Sequence, residues 1–396
     1  MNNLFSFATR ELSQDAFLCW LINAIEHSES SLAAAGVRLL NAMTGLSKTH
    51  PKQYQNIDIY RQYQKIDVLV VFTDENGQHV LIVEDKTFSA EHDNQLKRYT
   101  QMIDGKIRKG ACVDEKKPSF SPDARKHLCY LKIGDWTDEE RFASEKRFDL
   151  PEGWSYQGID SEQLLRILWE DRAAHCLIEM FVEYLSCLQK KKQEIEARID
   201  TMWKEAASSK VIESEYGQLY LARKLFPHRG IKEISIPDGK PGFEGPTPFY
   251  NFIYSGSSRG TPWTQYCFWG EGISLEDWIP EGKAEPDSKL PLAHFLFWRI
   301  DRDRISLRYY SNYSLRGDTC EGSCQEKTKN ECFIIAHDIP AGSHPNRTAS
   351  KEFSLLEMKF SDFDSFAALQ ASVSDTHHQF VKAFNQNHVN SPAIDI

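Results

Sequence analysis

The sequence predicts an α/β domain in the N-terminal half of the chain and a separate α+β domain in the C-terminal half. Two apolar runs flank an Asn-Gly pair and indicate a β-hairpin, and amphipathic helical patterns lie on both sides of it. Beyond about residue 225, glycine, proline and aromatic residues dominate, which is typical of short strands joined by turns. A chain of 396 residues is long enough for two domains, which we place at 1–200 and 201–396.

The first domain opens with two predicted helices and an edge strand. The first helix runs from about Ser13 to Ile25, and the second runs from Ser31 to Thr44 and stops before Gly45. The edge strand is predicted over 55–64. The first helix buries one apolar stripe, which consists of Ala16, Phe17, Trp20, Leu21 and Ala24.

The predicted hairpin joins two buried strands. Val68–Phe72 and Val80–Val83 are rich in β-branched residues, and Asn76-Gly77 between them tolerates the positive φ that tight hairpin turns need. We therefore expect the two strands to be adjacent and antiparallel.

Charged residues stand at the open end of this hairpin. Pairing about the turn brings Asp67 opposite 84–86, and alternation places Glu84 and Lys86 on one face with Asp85 on the other. Carboxylate oxygens are the ligands that Mg²⁺ prefers, and a neighbouring lysine can orient a water or offset developing charge. The pattern predicts a site that hydrolyses phosphodiester bonds. The alternative explanation is that these charged residues form an ordinary solvated strand end.

A helix and two strands complete the predicted first domain. The helix spans Ser89–Ile103 with Ser89 as its N-cap, and Gln95 and Tyr99 lie one turn apart on one face. Strands are predicted at His127–Ile133 and Ser155–Ile159. The central elements therefore follow the order helix, three strands, helix and strand.

These residues resemble the PD-(D/E)XK nuclease superfamily, in its subset with a Q-L-x-x-Y helix. The resemblance lies in Asp67, in Glu84-Asp85-Lys86 and in Gln95-Leu96-Lys97-Arg98-Tyr99, while Thr9–Ile22 is similar to the family's opening helix. Ile66 stands where the motif's name has proline, which supplies no chemistry. The resemblance implies a restriction-endonuclease-like core, αβββαβ, with a mixed sheet flanked by helices.

The resemblance also implies a set of metal ligands. Asp67 and Glu84 would bind Mg²⁺ through their carboxylates, and Asp85 would bind it through its main-chain carbonyl. An acidic residue of the opening helix would reach the same metal. We map that residue to Glu11, with Asp15 as the competing candidate.

The remaining matched positions would act on water or on nucleic acid. Lys86 would lie beside the nucleophilic water. Gln95 and Tyr99 would support the site or hold the nucleic acid, together with Lys97 and Arg98 of the same helix.

The segment 97–126 is a candidate for phosphate binding. It carries nine basic residues against four acidic ones, whereas the whole chain has a net charge of -10. An ordinary solvated loop is the alternative explanation. The overall acidity is not typical of a protein that coats itself in nucleic acid.

The composition predicts a folded cytoplasmic protein. The chain is 41% hydrophobic and 26% charged, and its nine cysteines follow no disulfide spacing. No apolar run is long enough for a membrane, so no membrane partner is expected.

The second domain is predicted to combine helices with short strands. A helix is expected over 209–225, a hairpin from Phe295–Ile300 and Ile305–Ser311, a strand at Phe333–Ile335 and a helix over Ser361–Phe384.

Three features of the second domain have a functional and a structural interpretation. Arg304 and Arg308 share a strand face and could hold a phosphate, although a solvated face is favoured. The spacing of Cys320 and Cys324, with Cys332 and His337 following, is too loose to favour zinc. A group of aromatic residues could stack on bases, although a core role is favoured: Tyr250, Tyr254, Trp263, Tyr266, Phe268 and Trp269.

The function predicted from the sequence is a Mg²⁺-dependent nuclease, with Mn²⁺ as a substitute and DNA as the favoured substrate. The alternative is a non-catalytic nucleic-acid-binding or ligand-sensing protein on the same fold. The sequence does not decide whether the substrate is DNA or RNA, or whether the protein forms a homodimer. It also leaves open whether the second domain binds a small-molecule ligand. Fold-level analogy suggests bacterial host defence or DNA processing.

Overall fold

A computed structural model shows the fold of the chain. The described residues form two compact units, one within 1–191 and the other within 192–389. They are 3–7, 11–27, 31–87, 95–106, 118–136, 150–227, 230–234, 247–258, 261–268, 296–310, 332–345 and 352–389.

The first unit is built on a five-stranded mixed sheet. Its strands are ordered β1-β2-β3-β4-β5. β2 runs antiparallel to both of its neighbours, β1 and β3, while β4 pairs in parallel with β3 and β5. This sheet and its helices fit the predicted restriction-endonuclease-like core. The strands are β1 Gln55–Tyr63, β2 Ile66–Asp74, β3 Gly77–Lys86, β4 Arg125–Lys132 and β5 Trp154–Asp160.

Helices cover both faces of this sheet. One core contains Leu18 of α2, Leu39 of α3 and Val70 of β2, and the other contains Leu69 of β2 and Tyr99 of α4. Burial on both faces explains why β2 and β3 are almost continuously apolar. The helices are α1 Leu4–Phe7, α2 Glu11–His27, α3 Ser31–Thr44, α4 Gln95–Ile103, α5 Ser161–Trp169 and α6 Cys176–Thr201.

The hairpin of β2 and β3 forms as predicted. Asp74 pairs with Gly77, whose φ is +115°, and Val68 pairs with Val83. Continuing this register by one residue sets Asp67 beside Glu84.

The β1–β2 connection is a tight turn that the sequence did not indicate. Tyr63 pairs with Ile66, and the two residues between them, Gln64 and Lys65, have φ values of +50° and +73°. Two left-handed residues match a type I′ turn, which usually contains glycine or asparagine. Gln62, just before it, also has a left-handed φ of +54°.

A chain of buried polar side chains lies at the turn end of the β2–β3 hairpin. Asp74 lies 2.9 Å from Lys48 Nζ and 2.9 Å from His79 Nε2. His79 Nδ1 lies 2.9 Å from His127 Nε2, and His127 Nδ1 lies 2.7 Å from the Ser155 hydroxyl. This end of the hairpin therefore has paired charges.

The second unit is built on a six-stranded antiparallel sheet, ordered β11-β10-β9-β8-β7-β6. Its strands are β6 Gly230–Ile234, β7 Thr247–Ser258, β8 Thr261–Phe268, β9 Leu296–Asp301, β10 Arg304–Tyr310 and β11 Glu352–Lys359. Its helices are α7 Trp203–Ala207, α8 Lys210–Glu213, α9 Glu215–Leu225, α10 at 332–337 and α11 Phe366–Val389.

Three predictions for the local structure need correction or lie outside the described residues. The strand predicted at Phe333–Ile335 is wrong, because 332–337 form a helix that buries Cys332, Ile335 and Ala336 at helical spacing. The last helix begins at Phe366 instead of Ser361, after a short 3₁₀ turn. The predicted N-cap Ser89 lies outside the described residues.

No helix within the described ranges combines the length and apolar character that a membrane span requires.

We predict that Gly36→Ala destabilises the protein. A Cβ at Gly36 would lie 2.4 Å from the Leu21 carbonyl oxygen and 2.8 Å from Ile25 Cγ1, so α2 and α3 would have to separate. In an open helix the same change stabilises by about 0.5–1 kcal/mol, whereas overpacking here should cost about 1–3 kcal/mol. Urea unfolding measures the change, and a stabilised variant would contradict the prediction.

We predict that His127 makes stability depend on pH. Burial, and then the neighbouring His79, lower the pKa of His127 from 6.5 to about 4. Because the folded pKa lies below the unfolded one, this contribution is complete above pH 6.5 and is lost as the pH falls towards 4. The free energy of unfolding should fall by at most about 3 kcal/mol from this group.

The measurement is urea unfolding of His127→Phe between pH 7 and pH 4.5. Phenylalanine keeps a ring against His79 but does not titrate, so stability should fall less steeply with pH than in the unaltered protein. Ser155→Ala is the matched control, since it removes the hydroxyl partner and keeps the imidazole. Equal slopes in His127→Phe and the unaltered protein would contradict the prediction.

Candidate active site

Three of the predicted catalytic side chains meet at the open end of the β2–β3 hairpin. The Lys86 ammonium contacts a Glu84 carboxylate oxygen and lies 3.7 Å from Asp67 Oδ2. Glu84 and Lys86 are buried, and Asp67 is partly exposed. The antiparallel register and the alternation of side chains therefore deliver two carboxylates and one ammonium to one place.

Asp85 connects this cluster to helix α2. Its backbone N–H donates to Asp67 Oδ2 at 3.0 Å, and its side chain, on the other face of β3, accepts a hydrogen bond from Gln14 Nε2. The structure thus fixes Asp67 through the main chain of β3. The carbonyl of Asp85 as a metal ligand stays a prediction.

The opening helix brings a third carboxylate to the cluster. Asp15 is fully buried, and its Oδ2 accepts a hydrogen bond from Gln62 Nε2 at 3.2 Å. The same Gln62 nitrogen donates to Asp67 Oδ1 at 3.1 Å. Helix α2 begins at Glu11, the position preferred from the sequence, but the side chain of Glu11 lies outside the described residues.

Negative charge in this cluster is only partly compensated. Burial and the nearby Asp67 raise the pKa of Glu84 to about 8, although Lys86 opposes the shift. Burial and Asp67 also raise the pKa of Asp15 to about 6. Both carboxylates are therefore held where added positive charge would stabilise their ionised forms.

Helix α4 packs on the sheet face to which Glu84 points, opposite the face on which α2 packs. The Tyr99 hydroxyl donates to the Lys65 carbonyl oxygen in the β1–β2 turn, and Gln95 Nε2 donates to the Tyr99 oxygen at 3.4 Å. Burial, followed by the charge of Glu84, raises the pKa of Tyr99. Gln95 and Tyr99 therefore lie together, close to Glu84.

The two basic residues of α4 have different surroundings. The Arg98 guanidinium lies over the Tyr99 ring at 5.4 Å, and Lys97 is exposed. The remainder of the basic segment is described only in part. Within that part, Lys106 and Lys126 both pair with Asp104, at 3.5 and 2.7 Å.

The buried oxygen atoms of the cluster fit a hard divalent cation. No amide or hydroxyl group of a described residue donates a hydrogen bond to either Glu84 oxygen or to Asp15 Oδ1. Within the ranges that the structure describes, no three His, Cys, Asp or Glu residues are grouped tightly enough to enclose an ion. Mg²⁺ needs only one or two carboxylates, because water and phosphate complete its coordination.

The sequence analysis missed three polar residues at or near this site. Gln14 and Gln62 donate to its carboxylates, and the buried Lys132 ends β4 in register with Lys86. The glutamines had no motif to mark them. Lys132 had a signal, since a lysine ends an apolar strand there as Lys86 does in β3.

The candidate features of the second unit are largely structural where they are described. Tyr266 is buried and stacks on Phe226 with ring centroids 4.2 Å apart, and Cys332 lies in the apolar core. Arg304 pairs with Glu357 at 3.0 Å, and Arg308 Nε donates to the Ser306 hydroxyl at 2.7 Å. The side chains of Tyr250, Tyr254, Phe268, Trp269, Cys320 and Cys324 lie outside the described residues.

Comparison with known proteins agrees with the geometry of the first unit. A family model of the PD-(D/E)XK nuclease superfamily matches residues 2–200, which is half of the 396-residue chain. No curated protein and no solved structure matches the chain. Members of this superfamily are generally nucleases that hydrolyse phosphodiester bonds, typically with divalent metal ions. The match spans the sheet and the whole of the carboxylate and lysine cluster, and the chain belongs to the PD-(D/E)XK nuclease superfamily.

Proposed function

We propose that this protein is a Mg²⁺-dependent nuclease that hydrolyses phosphodiester bonds in DNA, with Mn²⁺ as an effective substitute. The meeting of Asp67, Glu84 and Lys86 at one end of one hairpin is the observation that carries the proposal. A surface strand end would place such groups in water, whereas here Glu84 and Lys86 are buried. Family membership supports the same reaction class.

Each group in the cluster has a chemical task in this proposal. Asp67, Glu84, the Asp85 carbonyl and an acid of α2 would hold the metal, which when bound polarises the phosphoryl oxygen and acidifies a water. Lys86 would orient the attacking water and offset the negative charge that develops on the phosphate. The contact between Lys86 and Glu84 keeps the ammonium aimed at the site before substrate arrives.

Nucleic acid would be held by groups next to the cluster. Lys97 is exposed and Arg98 is partly exposed on the helix that carries Gln95 and Tyr99, so the two cations could contact phosphates. We assign recognition of substrate or of a partner to the second unit. Cleavage leaving a 5′-phosphate and a role in bacterial defence or DNA processing remain proposals by analogy.

We predict that Lys86→Ala abolishes metal-dependent cutting of DNA but leaves DNA binding nearly intact. Loss of one preorganised group that stabilises transition-state charge typically lowers kcat by about 10²–10³-fold. Purified protein should be incubated with circular and linear DNA in Mg²⁺ and in chelator, with RNA as a parallel substrate.

Lys190→Ala is the control for this experiment, because Lys190 is an exposed lysine on α6. It should cut DNA at the unaltered rate. Full cutting by Lys86→Ala would remove Lys86 from the mechanism, and failure of the unaltered protein to cut either nucleic acid in Mg²⁺ would refute the nuclease proposal.

We predict that Mn²⁺ raises the melting temperature of the unaltered protein, since an ion that binds only the folded state stabilises it. Asp67→Asn should remove most of this rise. Asp15→Asn should reduce it more than Glu11→Gln, because Asp15 shares Gln62 with Asp67.

The thermal shift also distinguishes a metal-dependent nuclease from a non-catalytic binding protein. A non-catalytic binding module should bind nucleic acid yet show no response to Mn²⁺ in the unaltered protein. A larger loss of the shift in Glu11→Gln than in Asp15→Asn would assign the helix ligand to Glu11 instead.

A further inference from the structure

We propose that Gln62 is a positioning residue that holds the carboxylates of Asp15 and Asp67 side by side for the metal. This inference rests on the proposed function. Gln62 lies at the end of the edge strand β1, and no motif of the sequence marks it.

One amide nitrogen makes both contacts. Gln62 Nε2 lies 3.2 Å from Asp15 Oδ2 and 3.1 Å from Asp67 Oδ1. An ionised carboxylate only accepts hydrogen bonds, and a glutamine NH₂ group has two hydrogens to donate. The chemistry of the partners therefore assigns the nitrogen to this position and gives each carboxylate one hydrogen.

Both oxygens of Asp67 are then held by donors. Oδ1 accepts from Gln62, and Oδ2 accepts from the backbone N–H of Asp85 at 3.0 Å. Two donors on two oxygens fix the plane of the carboxylate, and the shared amide draws the buried Asp15 towards it. Like-charged groups would otherwise separate, so the bridge keeps two ligands from different elements within reach of one ion.

The backbone at Gln62 is unusual for a position within a strand. Arg61 pairs with Val68 and Tyr63 pairs with Ile66, so Gln62 lies between these two pairs, across from Asp67. Its φ is nevertheless +54°, a left-handed conformation that is uncommon for residues other than glycine. Strained backbone of this kind persists where the surroundings enforce it and is concentrated at functional sites.

Gln64 offers a matched control two residues away. It has almost the same φ, +50°, but its Nε2 donates to the Tyr63 hydroxyl at 3.1 Å and not to a carboxylate of the cluster. Glycine at either position relieves the left-handed backbone and removes the side-chain amide. The two substitutions therefore differ mainly in the bridge.

The experiment compares Gln62→Gly with Gln64→Gly in the full chain. In chelator, Gln64→Gly should melt at or above the temperature of the unaltered protein, since glycine relieves strain. Gln62→Gly should melt below Gln64→Gly, because Asp15 and Asp67 each lose a hydrogen-bond donor. In a Mn²⁺ titration followed by thermal shift, the half-maximal concentration should rise about 10–100-fold for Gln62→Gly only, the usual effect of losing a group that orients a ligand. Gln62→Asn, which is one methylene too short to span both acids, should behave like Gln62→Gly.

DNA cutting provides the second measurement. At saturating Mn²⁺, Gln62→Gly should recover most of its kcat with an unchanged KM for DNA, because the ligands themselves are present. A half-maximal Mn²⁺ concentration within twofold of that of Gln64→Gly would overturn the proposal, and so would tighter Mn²⁺ binding, which would mean that Gln62 competes with the metal. If the unaltered protein neither responds to Mn²⁺ nor cuts DNA, the proposed function itself fails.

Discussion

The pairing of β2 with β3 is the constraint on which the site depends. A two-residue turn between Asp74 and Gly77 sets the register, and side chains alternate with a period of two residues. A slip of one residue would move Glu84 and Lys86 to the other face of the sheet. The cluster is therefore specified by a turn that lies at the far end of the same hairpin.

Burial of this cluster works against stability. Glu84, Asp15 and Asp85 are fully buried, and removing carboxylates from water is costly unless they are paired. The fold keeps them because helix α2 and the edge strand β1 reach the hairpin end with Gln14 and Gln62 as donors. Close packing of α2 on α3 at Gly36 in turn fixes the position of α2 and therefore that of Asp15.

The sequence revealed the parts of this structure that depend on local patterns. The β2–β3 hairpin has an Asn-Gly turn and apolar strands, and the motif marked Asp67, Glu84 and Lys86. The β1–β2 turn could not be foreseen, because Gln64 and Lys65 adopt left-handed conformations without the usual residue types. Choosing between Glu11 and Asp15 needs the orientation of α2, which depends on tertiary packing rather than on helical periodicity.

Two elements of the second unit were also not predicted from the sequence, for a different reason. The strand β11, Glu352–Lys359, was not predicted, since Leu355 and Leu356 are both buried and mask the alternation. The helix at 332–337 was mistaken for a strand because Phe333, Ile334 and Ile335 are residue types that favour strands. In the structure this helix buries Cys332, Ile335 and Ala336, which are spaced i, i+3, i+4. That spacing can be recognised as helical only when the core on which the helix packs is known.

The two ends of the β2–β3 hairpin distinguish structural from functional acids. Burial alone would raise the pKa of Asp74, but hydrogen bonds from Lys48 and His79 outweigh it and hold this pKa well below its ordinary value. At the other end, burial and neighbouring acids raise the pKa of Glu84 and of Asp15 despite Lys86 and Gln62. Both ends share the same strands, but Asp74 lies closer to the surface than Glu84 and Asp15, and it has Lys48 and His79 as partners. An acid that the protein has already paired with positive charge stabilises the fold, whereas buried acids left short of positive charge mark the place where we propose that a cation binds.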